Sequence, residues 1–490
     1  MSLDGESLGR KMWVTAKDNW HLGITSFGGP PVHFKIFHDR WVKKRQWVSE
    51  QVYEEVFSVC QALCGPASTK MLYCLNLIHA GVPSAVLAFF IWSLPGALGM
   101  FALSEGVSNM PLTLPRPAYA VLSGLNAATV GVVALAAVQL SRGPASDGVG
   151  RVLVFACGSA GLLYNALWYF PVLIVAAGLF ALAADSGVFR RAVGRARGIV
   201  GRARRGSGSS GEDGQGTAPP TSSSSSSPDG GRLRRQQQQE EGQNELPANA
   251  ASAADEPRVV PPERNLNMSW KAGLAVIAAF LASFAAVMVL RATLRAPPLL
   301  YRLFANMYLA GTVIFGGGPV VIPLLREYVV AEGWVSPRDF LIGLAVVQAL
   351  PGPNFNFAVY LGALTARGGG LPGLAGAAAA FAGIFAPGLA LVQGTMGVWT
   401  AVRGRPRVGS LLRGVNAGAV GLIYTAVYRL WQIGYIDEGY QGGTNLGVEP
   451  WWVVVTATSY VGGLWFGVKP WASILLGAAM GLAWYGVVSS

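Results

Sequence analysis

The chain has 490 residues, a formal net charge of +12, 52% hydrophobic residues and only 13% charged residues. That charged fraction is about half the usual value for soluble globular proteins, so the polar side chains are too few to cover several soluble cores. A cytosolic enzyme, a disulfide scaffold and a nucleic-acid-binding module are therefore excluded as descriptions of the whole chain. The composition indicates a polytopic membrane protein embedded in a lipid bilayer, with its basic surplus in cytoplasmic loops.

The chain start and the cysteines give no sign of secretion or metal binding. Met1 to Trp13 is polar and lacks the apolar run of a cleavable signal peptide, so targeting depends on an internal span. The cysteines lie in apolar stretches without Cys-x-x-Cys spacing, which predicts buried free thiols and no metal site. They are Cys60, Cys64, Cys74 and Cys157.

A change of composition divides the chain. Residues 187–266 begin with arginines and continue with Gly, Ser and Gln runs, which predicts a disordered basic linker. The flanking parts are predicted as a first membrane domain at 1–186, a linking transmembrane helix at 267–298 and a second membrane domain at 299–490.

Short motifs recur on both sides of the linker in the same order, which predicts two copies of one membrane domain. Each motif and its repeat lie 287 to 290 positions apart. The matches are Phe27-Gly28-Gly29-Pro30-Pro31 with Phe315-Gly316-Gly317-Gly318-Pro319, Gln61-Ala62-Leu63-Cys64-Gly65-Pro66 with Gln348-Ala349-Leu350-Pro351-Gly352-Pro353, and Gly124-Leu125-Asn126-Ala127 with Gly414-Val415-Asn416-Ala417.

The apolar stretches predict matching helices in the two copies. They are about 82–103, 117–140, 152–166 and 168–185 in the first copy, about 371–396, 409–432, 450–467 and 470–488 in the second, and an unpaired span at about 271–290.

The charge pattern predicts that the two copies are inverted in the membrane. The stretch from His33 to Trp47 carries five Lys and Arg, whereas its repeat partner at 323–335 carries only Arg326. By the positive-inside rule, these two stretches should lie on opposite sides of the membrane. This requires that Val56 to His79 enters and leaves on the same side, as a re-entrant hairpin broken at Cys64-Gly65-Pro66. The unpaired span then inverts the second copy. We therefore expect an all-α inverted repeat with broken helices, in the plasma membrane, with a cytoplasmic linker.

The repeated breaks suggest a site for an anion. Each Gly-Pro pair ends one half-helix and starts the next, which exposes a positive helix N-terminus inside the membrane. Hydroxyl and amide side chains in the following turn can donate hydrogen bonds to an oxyanion. The candidate binding residues are Phe27, Gly28, Gly29, Pro30, Gln61, Gly65, Pro66, Ser68, Thr69, Lys70 and Asn126 in the first copy and Phe315, Gly316, Gly317, Gln348, Pro351, Gly352, Pro353, Asn354, Asn356 and Asn416 in the second.

Several of these residues have an alternative interpretation. The glycines of the Phe-Gly-Gly segments would also permit tight helix packing, and the paired Gln and Asn residues would also bridge helices. Lys70 either faces a bound anion or extends to the membrane interface. The histidines are expected mainly at membrane edges, with proton coupling as the alternative. They are His21, His33, His38 and His79.

With these motifs, the sequence resembles the chromate ion transporter family over both membrane copies. The resemblance rests on Phe27-Gly28-Gly29-Pro30 and on the two Gln-Ala-Leu segments that end in Gly-Pro. It implies transport of chromate, with sulfate as the physiological look-alike. The sequence departs from the family pattern at Cys64 and Gly318, where the family has proline, so the two half-sites are not expected to be fully symmetric.

Other functions remain open on the sequence alone. A transporter or channel for another small anion or solute is the first alternative, and a membrane enzyme is the second. The broken segments lack a carboxylate pair, a histidine cluster or a nucleophile with its base, which disfavours the enzyme. No cofactor, metal or nucleic acid is expected, and a homodimer is an open possibility.

Overall fold

The computed structural model of the protein describes residues 6–27, 29–111, 114–143, 145–164, 169–186, 269–314, 325–347, 350–402 and 405–488. These residues form helices joined by short turns, with one isolated β-bridge between Tyr435 and Thr444. The predicted linker lies outside the described residues. The predicted all-helical architecture is confirmed for the described part of the chain.

The first copy begins with short helices and continues with long apolar ones. Its helices are α1 (Leu8–Asn19), α2 (Leu22–Thr25), α3 (Gly29–Phe37), a π-helix (His38–Lys44), α4 (Glu50–Ala62), α5 (Ala67–Ala80), α6 (Val82–Ser108), α7 (Arg116–Ser141), α8 (Gly148–Leu163) and α9 (Tyr169–Asp185).

The second copy repeats this order after the unpaired span. The unpaired span is α10 (Trp270–Thr293). The described helices of the second copy are α11 (Leu299–Val313), α12 (Pro337–Val347), a 3-10 turn (Asn354–Asn356), α13 (Phe357–Gly368), α14 (Gly373–Val402), α15 (Pro406–Trp431), a 3-10 turn (Leu446–Val448), α16 (Pro450–Trp465) and α17 (Pro470–Val488).

Length and hydropathy make six of the described helices suitable to cross a membrane. They are α6, α7, α10, α14, α15 and α17. All six coincide with spans predicted from the sequence. Helices α8 and α9 are apolar but shorter, at 16 and 17 residues. Proline lies in the first turn of α6, α7 and α15, where it removes an N–H group that has no partner inside the helix.

The C-terminal hairpin of each copy packs on the long helix of the other copy. Helices α8 and α9 lie against α15, and helices α16 and α17 lie against α7. Glycines permit the close approach, because a Cβ placed on Gly124 of α7 would lie 2.1 Å from the Gly477 carbonyl oxygen. The equivalent Gly414 of α15 would place a Cβ 2.4 Å from the Ala177 carbonyl oxygen. The two copies are therefore interlocked.

Polar side chains also join the copies at the helix ends. The Arg413 guanidinium on α15 lies 2.8 Å from Asp147 before α8 and 2.8 Å from Asp185 at the end of α9. On the other long helix, the Ser123 hydroxyl donates to the Ile436 carbonyl oxygen over 2.9 Å. The cysteines are buried and unpaired, as predicted.

Candidate functional site

Both copies break their helices at the predicted Gly-Pro pairs. In the first copy α4 ends at Ala62 and α5 begins at Ala67, and Gly65 between them has φ +87°. In the second copy Gly352 also has φ +87° and precedes the 3-10 turn. An L-residue with a side chain is strained at such a φ, so glycine is required at both positions. The two breaks have the same φ at the glycine.

Each break is hydrogen-bonded to the other copy. The Gly65 amide donates to the Ile314 carbonyl oxygen over 2.7 Å, and the Gly352 amide donates to the Ser26 carbonyl oxygen over 3.0 Å. Ile314 and Ser26 are the residues immediately before the two Phe-Gly-Gly motifs. Each break therefore meets the residue that precedes the Phe-Gly-Gly motif of the other copy, and the sequence alone did not reveal this crossing.

A proline-glycine pair within a long helix faces each break. A Cβ on Gly96 of α6 would lie 2.7 Å from the Pro351 carbonyl oxygen, and one on Gly388 of α14 would lie 3.2 Å from the Cys64 carbonyl oxygen. Pro95 and Pro387 precede these glycines inside their helices. These pairs were not predicted from the sequence, although proline inside a predicted span is a detectable signal of a kink.

Lys70 does not extend to the membrane interface. Its side chain is fully buried, and its ammonium donates to the carbonyl oxygens of Leu63 and Cys64, the latter over 2.8 Å. These carbonyls lie at the C-terminal end of α4, where the helix dipole favours a cation. Lys70 thereby satisfies the broken end of the first half-helix, and the interfacial alternative is wrong.

The hydroxyls after the first break contact the elements around them. Thr69 accepts a hydrogen bond from the Trp92 indole over 3.2 Å, and Ser68 lies 3.2 Å from His33 Nδ1. His33 is buried, and its Nε2 lies 3.2 Å from the Ser26 carbonyl oxygen. The imidazole of His33 is therefore enclosed by protein, and its expected location near a membrane edge stays a prediction.

The amides after the second break approach the first copy. Asn356 donates to the Ser93 carbonyl oxygen of α6 over 2.9 Å. Asn354 lies beside the first Phe-Gly-Gly motif, because a Cβ on Gly29 would be 4.0 Å from its Nδ2 atom. Gly29 begins α3 with φ +74°, another position that favours glycine. Residues of the two copies thus meet at the second break.

Three buried polar atoms around the second break have no hydrogen-bond partner within the described residues. They are Ser26 Oγ, Ser93 Oγ and Asn356 Oδ1. An unpaired buried polar group costs about 1–3 kcal/mol, so such a cluster indicates a place that a polar ligand or water can satisfy. Ser26 and Ser93 were not predicted as site residues from the sequence, because an isolated serine carries no motif.

Other predicted residues lie apart from these contacts. Asn126 donates to the Gly434 carbonyl oxygen over 3.2 Å and links α7 to the segment after α15. Asn416 is half-buried on α15, and Gln61 is half-buried at the end of α4. The half-buried ring of Phe27 lies 6.4 Å from the Trp471 ring. The predicted residues Gly28, Phe315, Gly316, Gly317 and Gln348 lie outside the described residues.

The predicted prolines lie next to the predicted glycines at the start of α3 and at the two breaks. Pro30 lies in the first turn of α3, and Pro66 is the residue immediately before α5. Pro351 and Pro353 enclose Gly352. Within the part of the chain that the structure describes, no group of three or more His, Cys, Asp or Glu residues is arranged to hold a metal ion.

The apolar helices and the interlocked, twice-broken architecture define an integral multi-pass membrane protein. The chain belongs to the chromate transporter family, whose model matches residues 13–182 and 301–482. The resemblance deduced from the motifs is thereby confirmed.

Curated relatives agree with this family over most of the chain. The chromate transport protein of Pseudomonas aeruginosa is 25% identical over 84% of this chain and 79% of its own length. That of Cupriavidus metallidurans is 23% identical over 85% of this chain and 82% of its own length. A probable chromate transport protein of Synechococcus elongatus is 32% identical over 25% of this chain and 30% of its own length. No solved structure gives a significant match.

Proposed function

We propose that the protein is a secondary transporter of chromate, and of sulfate as its look-alike, with the anion bound where the helix breaks of the two copies meet. The observation that carries the proposal is the reciprocal hydrogen bonding of Gly65 to Ile314 and of Gly352 to Ser26. Broken helices inside a membrane are tolerated where protein or a polar cavity satisfies the freed backbone groups. Here each break depends on the other copy.

The donors around the breaks suit a tetrahedral dianion. Oxyanion oxygens only accept hydrogen bonds, and the Ser68 and Thr69 hydroxyls follow the first break, while the Asn354 and Asn356 amides follow the second. Ser26 and Ser93 contribute two further buried hydroxyls without a described partner. The half-helix N-termini favour negative charge at the same place.

We further propose that the copies form an inverted repeat. Contacts between α7 and the region of α15 support this, because the two equivalent segments are antiparallel. Residues further along α7 contact residues earlier in the second copy. The paired residues are Arg116 with Glu438, Ser123 with Ile436, Asn126 with Gly434, and Ser141 with Tyr424. Equivalent helices that run in opposite directions are expected of carriers with a midplane site between repeats.

Placement in the plasma membrane with the linker in the cytoplasm is part of the proposal, and the arginines of the linker support its cytoplasmic side. A dianion that leaves an inside-negative cell gains about 4.6 kcal/mol per 100 mV, at about 2.3 per charge. Export can therefore run on the membrane potential, whereas uptake requires a coupled cation or an exchanged anion.

Flux of radiolabelled chromate into proteoliposomes tests this function. We expect saturable flux that responds to the sign of an imposed potential and that excess sulfate blocks. The Asn356→Ala variant should reduce flux, and Asn306→Ala is its matched control, since Asn306 is also buried and donates to a backbone carbonyl, that of Tyr328, over 2.9 Å. Flux no greater than in empty vesicles under either potential would exclude chromate and direct attention to another small anion or solute.

A further inference from the structure

His33 lies at the crossing of the two copies and is bonded to both sides of it. Its Nε2 is 3.2 Å from the Ser26 carbonyl oxygen, which also accepts the Gly352 amide. Its Nδ1 is 3.2 Å from the Ser68 hydroxyl, in the first turn after the first break. The ring packs edge-on against Trp92 at 4.8 Å between centroids. One buried imidazole thus joins the surroundings of both breaks.

The partners of His33 determine which nitrogen carries the proton. A carbonyl oxygen only accepts hydrogen bonds, so Nε2 must donate to Ser26 and must be protonated. In the neutral ring Nδ1 is then an acceptor, and the Ser68 hydroxyl must donate to it. When a second proton binds at Nδ1, that nitrogen becomes a donor to the Ser68 oxygen, and the Ser68 O–H is free to point elsewhere.

A protonated His33 has no counter-anion in contact with its ring among the residues that the structure describes. Within the described residues neither ring nitrogen contacts a carboxylate. A buried charge is stable only when it is paired, so the proton on His33 requires an anion nearby. A bound oxyanion supplies that charge, and the released Ser68 hydroxyl supplies a donor to it.

Most of the ionisable groups on the elements around α3 are engaged with other partners. On α5, Lys70 donates to the carbonyls of Leu63 and Cys64, Tyr73 donates to Gln393, Cys74 contacts Cys60, and His79 stacks on Trp47. On α4 and the π-helix, Tyr53 donates to the Phe34 carbonyl, His38 contacts Glu50, Asp39 pairs with Lys43, and Arg40 contacts His21. The remaining ionisable groups of these elements are Lys35 on α3 itself, Lys44 on the π-helix, Glu54 and Glu55 on α4, Glu105 on α6, and Arg116 and Tyr119 on α7.

The second copy lacks both members of this pair. The repeat partner of His33 is Val321, at an offset of 288, and that of Ser68 is Phe355, at an offset of 287. Two residues that contact each other are therefore replaced together by apolar residues. This joint replacement is expected if the histidine and the serine act as one unit in one half of the protein.

We infer that His33 is a proton-operated switch of the Ser68 hydroxyl, which couples the uptake of one proton to the binding of the oxyanion. His33 is a positioning residue, because it acts on the anion through Ser68. The inference rests on the proposed function and identifies the proton as the cation that is coupled to the anion. Linkage requires that the anion bind more tightly when His33 is protonated, and that the anion in turn promote protonation.

The test measures binding of radiolabelled chromate to the purified full-length protein over a pH series, together with proton uptake reported by a pH-sensitive dye. The affinity of the wild type should rise about tenfold as the pH falls through the titration of His33, the effect of one charge-assisted hydrogen bond. His33→Gln should lose this pH dependence and the chromate-dependent proton uptake.

Two further variants separate the switch from a structural role. Ser68→Ala should also abolish the pH dependence, and alanine is well tolerated in a helix, so this variant keeps the test valid if His33→Gln does not fold. His38→Gln is the matched control and should keep the wild-type pH dependence, since His38 contacts Glu50 and not the breaks.

The outcomes distinguish the two proposals. Chromate binding that is equally pH-dependent in the wild type, His33→Gln and Ser68→Ala would overturn the switch and leave the transport function standing. Chromate binding of the wild type that does not vary with pH would do the same. If neither chromate nor sulfate binds at any pH, and no flux is found, both proposals fail.

Discussion

Single residues decide whether the broken helix ends are stable inside the protein. Lys70 shows this most clearly, because a charged side chain within the bilayer costs about 2.5–3.5 kcal/mol on insertion scales. Its ammonium meets two backbone carbonyls that the end of α4 leaves without helical partners. The cation and the broken end therefore compensate each other's cost. The second copy has Phe357 at the equivalent position, so this compensation occurs once.

Replacing Lys70 with methionine should destabilise the protein more than it alters substrate preference. The variant leaves two buried carbonyls unpaired, which we expect to cost about 2 kcal/mol of unfolding free energy. The measurement is the thermal melting temperature of the purified protein, with the exposed Lys17→Met as control. An unchanged melting temperature together with abolished chromate binding would instead place Lys70 in direct contact with the anion.

Helical elements are held together by glycines at the contacts between copies. Apolar helices gain little hydrophobic energy from each other in lipid, so association depends on close packing of small residues. Gly124 and Gly131 of α7, and Gly414 and Gly421 of α15, all approach backbone atoms of the opposite hairpin. These two sets are equivalent in the repeat, at an offset of 290. The crosswise arrangement of the hairpins is therefore encoded twice.

The Gly124→Ala substitution should disturb this packing. A Cβ there would lie 2.1 Å from the Gly477 carbonyl oxygen, so α7 and α17 must separate, at a cost of about 1–3 kcal/mol. Gly106→Ala on α6 is the control, because a Cβ there meets nothing within 4 Å and alanine is the better helix former. The melting temperatures of the two variants should differ clearly, and equal values would contradict the close contact of α7 with α17.

At the scale of the whole membrane part, the two copies form one interlocked unit rather than two separate halves. The described residues on the two sides of the predicted linker cluster together as one compact unit. Helix α10 packs on α14 through Gly273, yet most of its surface is exposed, including Leu274, Leu281 and Val289. An apolar helix with such a surface requires lipid around it. Helix α10 is the unpaired span of the sequence, with no equivalent in the repeat.

Cleavage between the copies should leave them associated. We would insert a protease site within residues 187–263 of the full-length protein, cleave it in detergent and measure co-elution by gel filtration. The fragments should elute together, because each hairpin is packed on the long helix of the other copy and not on that of its own. Fragments that separate under mild detergent would contradict the crosswise packing.

The sequence by itself determined the membrane class, the repeat, the long helices and the positions of both breaks. These features follow from local chemistry: apolar runs form spans, and Gly65-Pro66 and Gly352-Pro353 interrupt helices wherever they occur. The motifs likewise sufficed for the family. Even an asymmetry between the half-sites was expected, since Cys64 and Gly318 stand where the family pattern has proline.

Only the tertiary structure decided which segments meet. Three contacts of the site join residues from different elements. They are the hydrogen bond of Gly352 to Ser26, the contacts of Lys70 with the Leu63 and Cys64 carbonyls, and the packing of His33 against Ser68. No local pattern specifies such pairs, because they depend on how the copies pack across each other. The same composition would permit each hairpin to pack on its own copy, and the close approach of glycines such as Gly124 and Gly414 to the opposite hairpin selects the crossed arrangement.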